Sequence, residues 1–382
     1  MHLAAALMVK DEAARILVTL QSVQKHVDGF ILFDTGSTDD TVELARAFAL
    51  EHHMPFHLLE GIFEDFSTSR NKMLAFAESQ IVADSQTGRY THALLMDCND
   101  ELKLDAGKYG TLKTHLSQQN TLNAGYYVHQ NWFIHRGYEL NYYNIRIIKL
   151  NSGWLYKGVV HEYLNASLPD MATATLNSDI IIFQDRSKDD GKSAARWHKD
   201  LILLKKELAL HPTDARTQYY LAQTYECLGL STDAAYAYKV RSENTDGFYE
   251  ERFNSLLKCA GYETDENKKI VLYLTAFEVV ARAEPLVELS RLYRVKGQNL
   301  LAYTFANLAC DLSYPHHCTL FVNDKCYQHD RWQEAGISSY YVGEFDKGRQ
   351  ACMKAIESGF DTELNKKNLE YYLLHEKMDP RQ

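Results

Sequence analysis

The sequence has no C-x-x-C pair, no excess of basic residues, and no apolar run near the ~18 residues that a membrane span needs. Each absence removes a class of function. The seven cysteines (Cys98, Cys227, Cys259, Cys310, Cys318, Cys326, Cys352) are scattered and odd in number, so neither a zinc knuckle nor a dithiol redox motif is indicated. Reduced thiols in a cytoplasmic setting are the expectation. A formal net charge of -10 lacks the basic face that nucleic-acid phosphates demand, so no nucleic-acid partner is expected. One or two local cations would still serve a small anionic ligand. The apolar run Leu3–Val9 is followed, not preceded, by a basic residue, and Asp11 and Glu12 come next, which makes a poor secretory signal. Met1–Asp40 also offers no glycine-rich phosphate loop with a basic residue, as a nucleotidyltransferase or sugar-phosphate enzyme of related fold would need.

What is present is enough for two domains. The chain has 382 residues, 46% hydrophobic and 24% charged, so each half can bury its own core. Up to about residue 185, short apolar runs alternate with helix-like stretches. Leu3–Val9 and Gly29–Phe33 read as buried strands, Ala13–Val23 and Thr41–Leu50 as helices, and Ala93–Met96 as a further strand. This is the rhythm of a parallel α/β sheet. Ala124–Phe133, Tyr142–Leu150 and Asp179–Phe183 are rich in β-branched and aromatic residues and predict a mixed sheet closing the domain at residue 190.

From residue 195 to 382 the rhythm is helical throughout. Leu221-Ala222, Tyr225, Gly229, Ala234 and Tyr238 match Leu289-Ser290, Tyr293, Gly297, Ala302 and Ala306 at a constant offset of 68 residues. That is two units of about 34, the period of tetratricopeptide repeats. Trp332, Ala335-Gly336, Gly343, Gly348, Cys352 and Ala355 make a further match, whereas Tyr249–Thr275 keeps the helical rhythm without the signature. Small residues at these places would let paired helices approach closely.

Two acidic turns carry the chemistry. Asp34 stands where a strand ends and Thr35-Gly36-Ser37-Thr38-Asp39-Asp40 begins, at the sheet edge where open α/β folds bind ligands. It could accept hydrogen bonds from a base or ribose, or the segment could merely be a turn in which Ser37, Thr38, Asp39 or Asp40 caps the next helix. The strand Leu94-Leu95-Met96 likewise delivers Asp97-Cys98-Asn99-Asp100-Glu101. Carboxylate and carbonyl oxygens there could hold Mg or Mn against a diphosphate, or form a solvated acidic turn.

Together, Leu7-Met8-Val9-Lys10-Asp11-Glu12, Val27–Asp39, Asp65-Phe66-Ser67-Thr68-Ser69-Arg70-Asn71 and Asp97–Glu101 resemble the opening motifs of family 2 glycosyltransferases with the GT-A fold. Arg146-Ile147-Ile148-Lys149 and Gly158-Val159-Val160-His161-Glu162 resemble later motifs of one branch, so the likeness covers about residues 3 to 165. It implies a GT-A domain over residues 1–190 and transfer of a sugar, with inversion, from a nucleotide-diphosphate donor such as a UDP-sugar. Val9, Lys10, Glu12, Asp34, Arg70, Asp97 and Arg146 would bind the donor, and Asp97, Asn99 and His161 would hold a divalent cation (Mn or Mg). Glu162 would be the base and His161 the diphosphate contact, or the reverse. The other reading of Arg70 is structural, a pairing with Asp65. Asn99 stands where relatives carry a second aspartate, and Phe183-Gln184-Asp185 where they carry a histidine. Trp132, Trp154 and Tyr156 are candidate sugar platforms, with core packing as the other reading. The acceptor would be a hydroxyl or thiol on a glycan, peptide or protein, held by the repeats, which could also mediate self-association. The alternative is a helical-repeat scaffold with a degenerate transferase domain.

Overall fold

The structure is a computed structural model that describes residues 1–80, 88–120, 122–135, 138–166, 171–187 and 192–378. It divides into two compact units, Met1–Leu203 and Leu204–Gln382. Residue 190, the expected end of the first domain, lies outside the described residues; the units part further on, inside a helix.

The first unit runs β1 (Leu3–Val9), α1 (Ile16–Val23), β2 (Gly29–Asp34), α2 (Thr41–Glu51), β3 (Phe56–Glu60), α3 (Phe66–Ser79), β4 (His92–Met96) and β5 (Asp100–Lys103). Then come α4 (Ala106–Tyr109), α5 (Leu112–Ser117), β6 (Gly125–His135), β7 (Tyr138–Lys149), β8 (Trp154–Lys157), β9 (Tyr163–Ala166), β10 (Thr173–Thr175), β11 (Ile181–Asp185) and the start of α6 (Lys192–Leu210), which ends in the second unit. Among the described residues, nine strands form one mixed sheet in the order β3-β2-β1-β4-β7-β6-β11-β5, with β10 on β6. The first four are mutually parallel, and β7 joins antiparallel. β1 is buried on both faces, which is why it reads as an unbroken apolar run. Leu3, Ala5, Leu7 and Val9 pack with Ile16, Leu20, Phe48 and Leu112 on one side. Ala4 and Ala6 pack with Met73, Leu74 and Ala77 of α3 on the other, alanine leaving room for that helix. The carboxyl ends of β1, β2 and β4 share one edge, and there the apolar runs give way to acidic turns.

The second unit is helical. It comprises α7 (Ala215–Cys227), α8 (Ser231–Glu243), α9 (Tyr249–Tyr262), α10 (Glu266–Val279), α11 (Ala283–Val295), α12 (Asn299–Asp311), a π-helical turn (Cys326–Asp330), α13 (Arg331–Tyr341), α14 (Phe345–Glu357) and α15 (Thr362–Met378). Consecutive helices pack on one another. Gly229, Gly297 and Gly343 each close a hairpin at φ of 72°, 70° and 81°, a region that glycine enters without strain. Ala222, Ala234, Ser290, Ala302 and Ala306 are fully buried between helices, as their matching positions predict. The stretch without the signature is also a hairpin, α9 with α10. It turns without glycine, since the Glu263 carboxylate accepts from the Thr264 and Asp265 amides and Asp265 caps α10. Among the described residues, no helix is long and apolar enough to cross a membrane.

A side chain at Gly336 would begin 2.7 Å from the Cys352 sulfur and 3.3 Å from its backbone nitrogen. Gly336→Leu should therefore force α13 and α14 apart and destabilise the chain by about 1–3 kcal/mol, read by urea denaturation. An unchanged midpoint would contradict the close contact.

Candidate active site

The turns after β1 and β2 clasp each other. Asp11, at φ 53°, accepts from the Thr38 amide at 2.7 Å, the Asp11 amide donates to Ser37 Oγ, and the Glu12 amide donates to Thr41 Oγ1 at 2.7 Å. The Val9 carbonyl accepts from the Thr35 amide and hydroxyl, each at 3.0 Å, while its side chain lies in the core. Asp34 is buried. Its carboxylate accepts from the Gly36 and Ser37 amides and from Ser37 Oγ at 2.5 Å, so it shapes its own turn and does not cap α2. Lys10 is exposed at the same edge.

Arg70 is the meeting point of the remaining candidates. Asp65 extends the chain into α3 and caps it, accepting from the Thr68 amide at 2.8 Å, so it does not pair with Arg70. One turn later Arg70 Nη2 donates to Asp97 Oδ1 and Arg70 Nε donates to Glu162 Oε1, both at 2.6 Å. Asn71 bonds the backbone of Tyr156 in both directions (2.9 and 2.7 Å), locking β8 onto α3. The turn after β8 is pinned by the Phe66 amide donating to the Val159 carbonyl, and Gly158 takes φ 97° there. That turn leaves His161 exposed, at φ 48°, and Glu162 half-buried.

Arg146, on β7, completes the cluster. Its Nη1 lies 3.5 Å from Asp97 Oδ2 and 3.5 Å from Asp100 Oδ2, and its Nε donates to Gln130 Oε1 at 2.9 Å. Asp100 is fully buried; Oδ2 accepts from the Asp97 amide and Oδ1 from Gln184 Nε2. Burial alone would raise the Asp97 carboxyl, but Arg70 and then Arg146 outweigh it and hold it well below the usual carboxylate range. Asp100 moves the other way: burial pushes it up to about 6, although Arg146 opposes the rise. The two acids of one turn are thus split by their surroundings.

The proposed metal ligands do not converge. Both Asp97 oxygens face guanidinium groups, Asn99 Oδ1 accepts from Gln184 Nε2 at 2.7 Å, and His161 sits on the exposed turn. Among the described residues no group of three or more His, Cys, Asp or Glu side chains is placed to hold a metal ion. As arranged, this donor set does not fit a resident divalent cation. Of the aromatic candidates, Trp154 is buried and donates to the Ala124 carbonyl at 2.7 Å, a core role. Tyr156 lies under Arg70 at 5.5 Å and Trp132 under Arg186 at 3.8 Å.

Sequence reasoning misses Gln130 and Gln184, since buried glutamines on strands carry no motif. The one available signal is the place of Gln184, in the segment where the resemblance leads one to expect a histidine.

No family model and no curated protein matches the chain. Solved structures with some likeness include S. aureus TarS 1-349 in complex with UDP-GlcNAc, at 12% identity and TM-score 0.39, covering 73% of this chain and 91% of that one. The MamA protein aligns at 16% identity and TM-score 0.33 over 44% of this chain and 86% of its own. TTC0263, a thermophilic TPR protein in Thermus thermophilus, aligns at 18% identity and TM-score 0.29 over 48% of this chain and 93% of its own. These scores are too low to carry either the fold or the chemistry.

Removing Arg70 takes the shared cation from Asp97 and Glu162 and leaves Asp97 only Arg146, at 3.5 Å. Arg70→Met should destabilise the chain by roughly 2–4 kcal/mol, somewhat below a fully buried pair because 32% of the Asp97 side chain is exposed. Asp97→Asn in that background should restore part of the loss. Because the Asp97 carboxyl is depressed in the folded state, the stability it contributes is present above its unfolded pKa and lost as pH falls below about 4. A wild-type minus Asp97→Asn difference that is flat from pH 6 to pH 2 would contradict this.

Proposed function

We propose that the first unit is an inverting glycosyltransferase of the GT-A type. It would move a sugar from a nucleoside-diphosphate donor, a UDP-sugar by preference, to a hydroxyl or thiol on a glycan, peptide or protein. The supporting observation is the convergence of Arg70 and Arg146 on Asp97 at the edge where β1, β2 and β4 end. Two guanidinium groups sharing one carboxylate can turn to a diphosphate with little rearrangement, because planar forks suit phosphate oxygens. They would then stabilise the charge that develops as the diphosphate leaves. The clasped turns bearing Val9, Lys10, Glu12 and Asp34 would receive the nucleoside, and Asp97 the ribose. His161 and Glu162 would stand on the acceptor side, one reaching the diphosphate and the other serving as the base. Asp97, Asn99 and His161 would hold a Mn or Mg ion only in a rearranged site, so no step of the transfer is assigned to one.

The helical hairpins of the second unit would form a tetratricopeptide-like array that holds a peptide, protein or glycan acceptor, or a second copy of the chain. A cytoplasmic setting suits its thiols. The competing reading is a scaffold whose transferase domain has decayed. It draws on Asn99, whose carbonyl oxygen is committed to Gln184.

A panel of nucleotide sugars, each assayed for released diphosphate, separates the two. The transferase should hydrolyse one of them slowly in the absence of acceptor, and Asp97→Ala should abolish this with the fold intact by circular dichroism. Failure of every nucleoside diphosphate to raise the melting temperature, with and without Mn, would leave only the scaffold.

A further inference from the structure

We propose that the sugar transfer needs no divalent cation, because Gln184 holds the turn after β4 where a metal ion would otherwise hold it. The inference rests on the transferase reading above. β11 runs antiparallel to β5, and the register sets Gln184 directly opposite Asp100. Both side chains are buried. A carboxylate only accepts, so the amide nitrogen of Gln184 must face Asp100, and it donates to Oδ1 at 3.0 Å. The same nitrogen donates to Asn99 Oδ1 at 2.7 Å. A neutral NH2 group thus bridges the two oxygens that a cation on this turn would have to share, and the sheet ladder fixes it there.

The other oxygens of the turn are also engaged. Asp100 Oδ2 accepts from the Asp97 amide at 2.9 Å, Asp97 Oδ1 accepts from Arg70, and Asp97 Oδ2 lies 3.5 Å from Arg146 Nη1. Mg and Mn bind oxygen lone pairs, so either ion would have to displace a guanidinium or the Gln184 amide. A guanidinium does not deprotonate, and the dication would stand beside two like charges. When a diphosphate takes the guanidinium groups, Asp97 turns to the ribose. Asn99 and Asp100 stay on Gln184, so the turn releases no second oxygen to a cation. Neutralising the departing diphosphate then falls to Arg70 and Arg146, with Lys10 exposed at the end of the neighbouring strand. In donor hydrolysis a water oxygen bonds the anomeric carbon, and that carbon's bond to the diphosphate oxygen breaks. The electron pair leaves with the diphosphate, and the proton passes to His161 or Glu162.

The test uses the full chain and a panel of nucleotide sugars, with release of the diphosphate measured in EDTA and in added Mn. Wild-type turnover in EDTA should stay within about threefold of that in Mn. Mn alone should leave the wild-type melting temperature unchanged. Gln184→Glu sets a carboxylate against Asn99 Oδ1 and Asp100 Oδ1, and it should gain a thermal shift with Mn that wild type lacks. Gln184→Ala frees the same two oxygens without adding charge, and should gain a smaller shift if the glutamate variant does not fold. A Mn shift in neither variant overturns the role of Gln184. A wild-type rate that falls more than about threefold in EDTA and returns with Mn overturns the inference and leaves the transferase reading standing. A wild-type chain that hydrolyses no nucleotide sugar in either condition overturns both.

Discussion

Withdrawing Asp97 and Glu162 from water is unfavourable unless each finds a cation, and a single guanidinium serves both. Arg70 reaches the two carboxylates with different nitrogens, each at 2.6 Å, so it joins α3, the end of β4 and the turn after β8. Those segments are far apart in the chain. The Asn71 clamp on Tyr156 and the Asp65 cap hold α3 in register, so that Arg70 arrives at the right depth. Arg146 supports the other side of Asp97 and is itself oriented by Gln130. The site is therefore a lattice of two guanidinium groups and three carboxylates.

The sheet explains why that lattice sits where it does. Four parallel strands place their carboxyl ends along one edge, and the chain must turn there. Turns at such an edge are free to be acidic, because a sheet buried on both faces makes no packing demand on residues beyond its end. The two arginines come from elements that flank this edge, not from the edge itself.

Much of this is legible in the sequence. β1, β2 and β4 announce themselves as short apolar runs ending at Val9, Asp34 and Asp97, and the hairpin glycines 229 and 297 announce the repeat through their offset. Arg70, Asp97, Arg146 and Glu162 all stand out by their motifs, and the fold brings these four together. What the sequence hides is pairing at long range. Nothing in the residues around Asp65 says that it caps a helix, leaving Arg70 to Asp97 and Glu162. Asp34 reads as reaching a ligand, yet its carboxylate accepts from its own turn, because its neighbours Gly36 and Ser37 supply donors first. The family resemblance groups Asn99 and His161 with Asp97, but Gln184 claims the one and the turn exposes the other.

The central claim is that Arg70 and Arg146 form a diphosphate site at the carboxyl edge of the sheet. The most direct measurement is a crystal structure of the full chain soaked with UDP. The account predicts the nucleoside over the turns after β1 and β2, with diphosphate oxygens within hydrogen-bond distance of Arg70 and Arg146. UDP bound elsewhere, with the Arg70–Asp97 and Arg70–Glu162 pairs undisturbed, would contradict it.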